Sequence, residues 1–260
     1  MKKSLKLFYI YASLYFKMVF QQRLGIVLFT LGKIIRFLFL FLMIFLVFSK
    51  TRLVKGFSLN QMIIFYLTFN IIDSTAQLLF REVYRFRSQV VSGSFDLILL
   101  KPHHPFLRIL VGGVDFLDLF LLIPYIVLTI YYILQLPNLS LLLTASYFLL
   151  IINSLIIATA FHIMVLALAI LTTEVDHTIM IYRDMTALGR FPVEIYKEPV
   201  RAIFTFLIPV GIMMNFPAKI LFNLLSWQFI LFSIAISSLS LLFSFKLWDI
   251  ALKKYQSWGG

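Results

Sequence analysis

The sequence has 260 residues, of which 62% are hydrophobic and only 13% are charged. The polar stretches between its apolar segments are too short to hold a nucleotide-binding or catalytic domain, which excludes a sizeable soluble domain. The absence of cysteine excludes a disulfide framework, Cys-ligated zinc and a thiol nucleophile. The formal net charge of +12 is explained by topology and attraction to anionic lipid, and no nucleic-acid partner is needed.

The N-terminal segment, residues 1–22, has the pattern of an amphipathic helix. Apolar residues fall on one helical face and polar residues on another, namely Leu7, Tyr11, Leu14 and Met18 against Lys6, Ser13 and Lys17. This pattern predicts a helix that lies flat in the inner membrane interface, and the alternative is that the segment extends the first span. Lys17 interrupts the apolar patch and no small-residue cleavage site follows, so we do not expect a removable signal peptide.

The long apolar segments predict an all-α polytopic membrane protein. A helix needs about 20 residues to cross ~30 Å of hydrocarbon. Six stretches reach that length: 24–48, 58–80, 109–135, 141–171, 201–222 and 226–247. Unbroken runs such as Phe37 to Phe48 lack the alternation of a β-barrel, so six transmembrane helices are expected.

The Lys and Arg residues predict the orientation. Most of them fall in residues 1–23, 81–108 and 246–254, which should share the cytoplasmic side of the cell membrane. Both termini are then cytoplasmic. Lys50, Arg52 and Lys55 run against this rule but are outnumbered.

The stretch after the second span, 81–108, contains the pattern of a short helix. Ser94 can cap it, Asp96 lies in its first turn, Lys101 lies in its last turn and Pro102 ends it. Its apolar side chains, Phe95, Ile98 and Leu99 among them, are too many for a solvated turn. They need either the lipid surface or another protein.

Charges inside the apolar segments predict an intramembrane layer. Lys33, Arg36, Asp73, Asp115 and Asp118 fall at similar depths, about 10 to 18 Å from the cytoplasmic surface at ~1.5 Å per residue. Because such charges are costly in lipid, we expect them to pair inside the bundle, with Asp73 bound to Lys33 or Arg36. The alternative is that the two cations reach the inner surface.

The second span carries a polar stripe at intervals of three and four residues, which includes Asn70, Ser74 and Gln77. This stripe could line a pathway, or it could hold helices together.

Enzyme patterns are weak. Glu174, Asp176, His177 and His162 could be imagined as metal ligands, but the HExxH spacing is missing, so no metal site is expected. A membrane-embedded metal-dependent enzyme and a non-transporting scaffold remain the alternatives to a transporter.

Two motifs carry a resemblance: GSFDLILLKP at 93–102 and LGRFPVEIYKEPVRAIFTFLIPVGIMMNFPA at 188–218. The chain resembles the permease subunits of type-2 ABC transporters, in particular a subgroup of small six-span permeases, over its whole length of 260 residues as one domain. The resemblance implies an ATP-driven exporter that forms its path with a second permease chain, as a homodimer or a heterodimer. ATP and Mg²⁺ would be bound by separate ATPase subunits, with no cofactor on this chain.

The resemblance also gives the short helix a partner. In that family the loop after the second span forms a coupling helix that docks into a groove on the ATPase. The residues of this sequence that match are Phe95, Asp96, Ile98, Leu99 and Lys101.

Hydropathy and the resemblance disagree about the fifth span. Hydropathy places it at 201–222, whereas the resemblance places it around 173–190 and makes the next stretch re-entrant from outside. Asp176, Arg183 and Asp184 argue against the earlier placement. The re-entrant motif argues for it, because a straight helix would have interior prolines; its residues are Arg190, Pro192, Pro199, Pro209 and Pro217. We therefore expect re-entrant helices before the last span.

Overall fold

The computed structural model describes residues 2–21, 23–172 and 175–256, and these residues form helices and connecting turns. The helices in chain order are α1 Lys2–Gln21, α2 Arg23–Phe48, α3 Leu59–Phe80, α4 Phe86–Val91, α5 Ser94–Leu99, α6 Phe106–Ile109, α7 Phe116–Leu134, α8 Leu141–Thr172, α9 Val175–Ala187, α10 Val200–Ala202, α11 Val210–Leu221 and α12 Trp227–Lys254. Within the described ranges no β-strand is present beyond an isolated bridge between Val54 and Phe57. The predicted all-α class is confirmed.

Five segments are long and apolar enough to cross a membrane: Arg23–Phe48, Leu59–Val91, Phe116–Leu134, Leu141–Thr172 and Trp227–Lys254. The prediction of a multi-pass helical membrane protein is confirmed. We call the end of the bundle that carries α5 the α5 end, and the end where α3, α8 and α12 begin the far end.

The straight fifth span expected from hydropathy at 201–222 is wrong. Val200–Leu207 and Val210–Leu221 are separate helical segments that meet at 89°. Ile203–Leu207 is a π-helical turn, Ile208 is extended and Pro209 precedes α11. Since proline has no N–H and its ring blocks the preceding turn, the helix breaks there although the two segments together are long and apolar enough for a span.

The core forms around α3. Every residue from Met62 to Phe69 is buried, and α8 packs against both α11 and α12. Polar side chains link the helices, because lipid gives little hydrophobic force for association within the membrane. Asn153 on α8 donates to the Ser233 carbonyl (3.2 Å) and accepts from the Ser237 hydroxyl (2.5 Å) on α12.

Helix α11 is buried along its whole length and is held by Asn215. The Asn215 side chain accepts from the Val193 N–H (2.7 Å) and donates to the Gly189 carbonyl (2.9 Å). A Cβ at Gly189 would lie 2.7 Å from the Cβ of Met214, so only glycine permits this approach. The two halves of the 188–218 motif therefore pack directly on each other.

Helix α1 packs against the protein through a face other than the predicted apolar face. Ala12 and Tyr15 are buried, whereas Leu14 and Met18 are exposed. The rotation follows from Arg85, which donates to the Tyr15 hydroxyl at 2.9 Å and whose guanidinium lies 4.7 Å from the centre of its ring. Leu14 and Met18 are left free to contact lipid, and the flat position of α1 in the inner interface stays a prediction.

Candidate functional site

A cavity of about 340 Å³ lies between α2, α3, α7 and α9, and we call it the charged cavity. Five cations line it, Lys33, Arg36, Arg81, Arg183 and Arg190. Its carboxylates are those of Asp73 and Asp118. The cavity thus contains four of the five residues of the predicted charge layer.

One ion pair closes this cavity on the α7 side. The Lys33 ammonium lies 2.6 Å from Asp118 Oδ1, and Asp118 is 1% exposed. The expected pairing of Lys33 or Arg36 with Asp73 is wrong as a direct contact: both cations act on Asp73 only at longer range, and its Oδ2 accepts from Gln77 of its own helix at 2.8 Å. Asp118 has no such neighbour one turn away, so it takes the lysine from α2.

Asp115, the fifth residue of the predicted layer, lies outside the charged cavity. Its Oδ1 accepts from the Leu117 N–H at 3.1 Å and caps α7, and its Oδ2 lies 3.5 Å from Arg81 Nε. A carboxylate at a helix N-terminus is stabilised by the free N–H groups and the helix dipole. Asp115 therefore fixes the start of α7 on the end of α3.

Sequence reasoning missed two cations of this cavity. Arg183 on α9 had been read only as an obstacle to a span, and Arg190 only as part of the re-entrant motif. The Arg190 guanidinium lies 5.4 Å from the centre of the Phe69 ring. Their spacing of seven residues, about two helical turns, was the signal that could have placed both on one face.

The polar stripe of α3 faces the same cavity. Asn70, Ser74 and Gln77 all line it. The Asn70 side chain donates to the Tyr66 carbonyl at 2.7 Å and Gln77 donates to Asp73, so these hydrogen bonds stay within α3. The contacts do not support the reading of the stripe as a link between helices, and the pathway reading stays a prediction.

Helix α5 is fixed to the rest of the chain by its inner face. Phe95 is fully buried, with its ring centre 5.0 Å from that of Phe86 and 5.2 Å from that of Tyr255. Ile98 is also buried. Phe95 and Ile98 are therefore not free to contact a partner as expected, because Phe86 and Tyr255 cover Phe95 and Ile98 is buried in the same core.

The C-terminal tail also binds α5. The Tyr255 hydroxyl donates to Asp96 Oδ1 at 2.8 Å. Burial, together with the Asp96 carboxylate, raises the pKa of Tyr255 to about 12, so the phenol keeps its proton and remains a donor. Asp96 is thus occupied within the chain.

The outer face of α5 carries large exposed side chains instead. Leu97 is 65% exposed and Leu100 is 82% exposed, and Lys101 next to them is exposed as well. Leu99 is half-buried. Sequence reasoning missed Leu97 and Leu100 because the apolar pattern of this helix does not show which of its residues face the bundle and which are exposed.

The start of α5 differs from the predicted cap. Gly93 has φ of 70° and turns the chain into the helix, a conformation that favours glycine. Ser94 is the first helical residue and makes no capping bond; its hydroxyl pairs with that of Ser92 at 2.8 Å. The glycine therefore replaces the serine as the structural start.

Buried Glu82 connects α5's loop to the bundle. Its Oε1 lies 2.6 Å from Arg108 Nη1 and accepts from Gln89 at 2.8 Å. A Cβ at Gly113 would lie 2.5 Å from Glu82 Oε2, so a larger residue in the turn before α7 would displace the Glu82 carboxylate. These contacts hold α4, α6 and the start of α7 together at the α5 end.

The four candidate metal ligands of the sequence analysis do not form a metal site within the described residues. Glu174 and the side chains of Asp176 and His177 lie outside the described residues. His162 is buried with its ring centre 4.8 Å from those of Phe80 and Tyr182, and its Nδ1 lies 2.7 Å from the Ala158 carbonyl. The part of the chain that the structure describes has no group of three His, Cys, Asp or Glu that could hold a metal.

The residues of the re-entrant motif are spread over the turn after α9 and over the two segments that meet at 89°, Val200–Leu207 and Val210–Leu221, which we call the bent pair. Arg190 reaches the charged cavity, Pro192 is buried below it, and Pro199 precedes α10. Pro209 lies at the bend, and Pro217 lies inside α11. An ion pair that the sequence analysis missed, Glu194 to Lys219 at 2.5 Å, joins the turn to α11.

The fold and these sites agree with the comparison against protein families. A family model described as "ABC-2 family transporter protein" matches residues 34–259. The chain belongs to this ABC-2 family. The match begins inside α2, after Lys33, and includes α5, the bent pair and most of the residues that line the charged cavity. Neither a curated protein nor a solved structure matches the permease.

Membership makes the chain a membrane component of a transporter, and it implies association with ABC ATPase partners in general. The recognition of a type-2 ABC permease from its two motifs is confirmed.

Proposed function

We propose that this permease, residues 1–260 as one membrane domain, is the membrane-spanning subunit of an ATP-driven exporter in the cell membrane. ATPase subunits that bind ATP and Mg²⁺ drive it through α5, and this chain itself binds no cofactor. The outer face of α5, Leu97 and Leu100 on a helix fixed from behind, is the observation that carries the proposal. The direction of transport comes from the family resemblance.

The two faces of α5 have different tasks. Phe95 and Ile98 fix the helix to the bundle, so a force applied to α5 reaches the permease rather than bending a loose loop. Leu97, Leu100 and Lys101 offer an apolar surface with a cation beside it. Exposed leucines of this kind mark a protein-contact surface when a rigid scaffold presents them.

A second permease chain is supported by the surface of α2. Ile44 is the one buried residue of this helix, and Arg36 on it is exposed at the mouth of the charged cavity. Arg183 on α9 is exposed there too. Because arginines facing lipid in a membrane are costly, we propose that another permease chain, identical or related, covers this mouth and completes the path.

The path of residues 175–222 supports re-entry from outside. Tyr182 contacts His162 of α8, Arg190 lies beside Phe69 in the middle of α3, and Phe222 contacts Phe65 near the start of α3. The chain thus passes from the α5 end to the far end by way of α9. The bent pair then packs in the far half, beside the first turns of α12, where Phe206 contacts Phe232. With both termini cytoplasmic, the far end faces outside.

Labelling tests this topology. A Glu194→Cys variant has a unique thiol, and Glu194 is partly exposed near the far end. We expect it to react with a membrane-impermeant thiol reagent on intact cells, and Ser92→Cys in the α5 loop to react only after permeabilisation. Reaction of both cysteines only after permeabilisation would rule out re-entry from outside.

Co-purification tests the ATPase contact. Leu97→Asp and Leu100→Asp each remove a side chain whose burial in a partner groove contributes about 1.5–3 kcal/mol, so each should weaken ATPase binding at least about tenfold. Leu53→Asp is a matched control, since Leu53 is 59% exposed in the loop at the far end. Full ATPase recovery with the doubly substituted α5 would refute the assignment.

A further inference from the structure

We propose that the charged cavity binds the anionic head group of an amphiphile, and that amphiphiles of this class are the cargo. The cargo part of this inference rests on the proposed transport function. The binding part stands on the cavity alone.

The charge of the cavity wall favours an anion. Lys33 and Asp118 neutralise each other at 2.6 Å, and Arg81 is shared with Asp115 below the cavity. The guanidinium groups of Arg36, Arg183 and Arg190 have no described acidic side chain within 4.0 Å. Asp73 is the one described carboxylate of the wall that acts on Arg36 and Arg183, and it does so without a direct ion pair. Three arginines at membrane depth that share one carboxylate leave an excess of positive charge, which an anionic ligand would balance.

The cavity offers little to a cation. Asp73 is the remaining carboxylate of its wall, and it already accepts from Gln77 at 2.8 Å. A cationic head group would meet one occupied carboxylate and several arginines at close range. A phosphate or carboxylate head group instead meets planar donor groups that can bind its oxygens in pairs.

The remaining wall is apolar and opens along α2. Leu28, Phe29 and Leu40 line the cavity, and Leu28 and Phe29 are 60% and 63% exposed on the outer surface of α2. An acyl or alkyl chain can therefore leave the cavity along this helix while the head group stays between the arginines. The volume of about 340 Å³ lies at the low end of the ~300–1,000 Å³ range of ligand sites, so it fits a head group and not a whole lipid.

Ion pairs between helices do not account for all the cations of the cavity. Lys33 joins α2 to α7, and Arg81 joins the end of α3 to α7. Arg36 and Arg183 are exposed and make no such link within the described residues. Their placement around a shared space is accounted for by a ligand.

The test measures binding by the purified permease in phosphatidylcholine nanodiscs, with empty nanodiscs correcting for partition into lipid. Three probes share one alkyl chain: dodecyl phosphate, dodecylphosphocholine and dodecyltrimethylammonium. We expect dodecyl phosphate to bind at least about tenfold tighter than either of the others. Arg183→Gln and Arg190→Gln should each remove most of that preference, whereas Arg52→Gln, in the exposed far-end loop, should retain it.

Each other outcome overturns part of the inference. Equal affinity for the three probes, or a preference unchanged by both cavity variants, would overturn the anion site. Displacement of the probe by inorganic phosphate at equal concentration would replace the amphiphile with a soluble anion. Loss of probe binding in nanodiscs containing phosphatidylglycerol would assign the site to a resident bilayer lipid and remove the cargo claim.

This test is separable from that of the proposed function. Probe binding uses the permease without an ATPase, and the co-purification variants on α5 leave the charged cavity intact. A permease that binds its ATPase but shows no head-group preference would overturn this inference only. One that prefers dodecyl phosphate but binds no ATPase would overturn the proposed function, and with it the cargo part of the inference, while the head-group site would stand.

Discussion

Replacing Lys33 with methionine isolates the charge of the ion pair in the membrane, because the methionine keeps most of the apolar stem. Asp118 is 1% exposed, and its Oδ2 has no hydrogen-bond partner in the described structure. Without the ammonium at 2.6 Å its carboxylate stays buried and uncompensated. Breaking one partner of a buried pair costs about 3–5 kcal/mol, and since the Lys33 side chain is 28% exposed we expect the lower end, about 3 kcal/mol.

The opposite substitution should cost less. Asp118→Leu leaves the Lys33 ammonium beside the charged cavity, where it can turn toward water, so we expect about 1 kcal/mol. The double variant has no buried charge left, so we expect it to lose only about 2 kcal/mol, less than Lys33→Met alone. The sum of the two single losses exceeds this by about 2 kcal/mol, which is the coupling energy of the pair.

Unfolding of the detergent-solubilised protein by sodium dodecyl sulfate, followed by tryptophan fluorescence, measures all three variants. Lys50→Met, in the exposed loop after α2, is the matched control and should change the free energy of unfolding by less than about 0.5 kcal/mol. Strictly additive losses in the double variant would refute the pair as a structural link.

Three further predictions concern the motif and α5. Asn215→Leu leaves the two buried backbone groups that it bonds without partners, at about 1–3 kcal/mol each, and unchanged stability in the same titration would contradict the contact. Phe95→Ala should lower both the melting temperature and ATPase binding, by about 3 kcal/mol in stability, whereas variants of the exposed face should lower binding alone. The pKa of Tyr255, raised to about 12, lies above the unfolded value of about 10, so its contribution is complete below pH 10 and is lost as the pH approaches 12. Tyr255→Phe should therefore remove that alkaline step from a stability profile, and an identical step in both proteins would exclude the Asp96 contact as its source.

The positions of the long helices could be predicted because the bilayer fixes their length. The second span, expected at 58–80, is α3 Leu59–Phe80, and the last, expected at 226–247, begins at Trp227. Apolar runs of this length have few other solutions in lipid. The bent pair was harder to predict. Hydropathy adds up side-chain values and takes no account of the backbone N–H that Pro209 lacks.

Helix rotation could not be predicted in the same way. In a soluble protein the polar face of a helix shows which face is buried, but a membrane helix is apolar toward both lipid and core. The short helix α5, outside the spans, shows the same ambiguity: Phe95 and Leu97 are both large and apolar, although one is fully buried and the other 65% exposed. The same ambiguity hid the fact that Lys33 faces Asp118 rather than Asp73.

Helix α12 connects the two ends of the protein as a single lever. Its 28 residues span about 42 Å at ~1.5 Å per residue, and no proline or glycine interrupts them. At the α5 end Trp248 contacts Phe95, and at the far end Phe229 and Phe232 contact the bent pair. If α5 docks on the ATPase as proposed, a displacement of α5 would tilt the whole of α12 and shift the bent pair in the same movement. Opening at one membrane surface and closing at the other would then be two ends of one displacement, with no relay of separate steps between them.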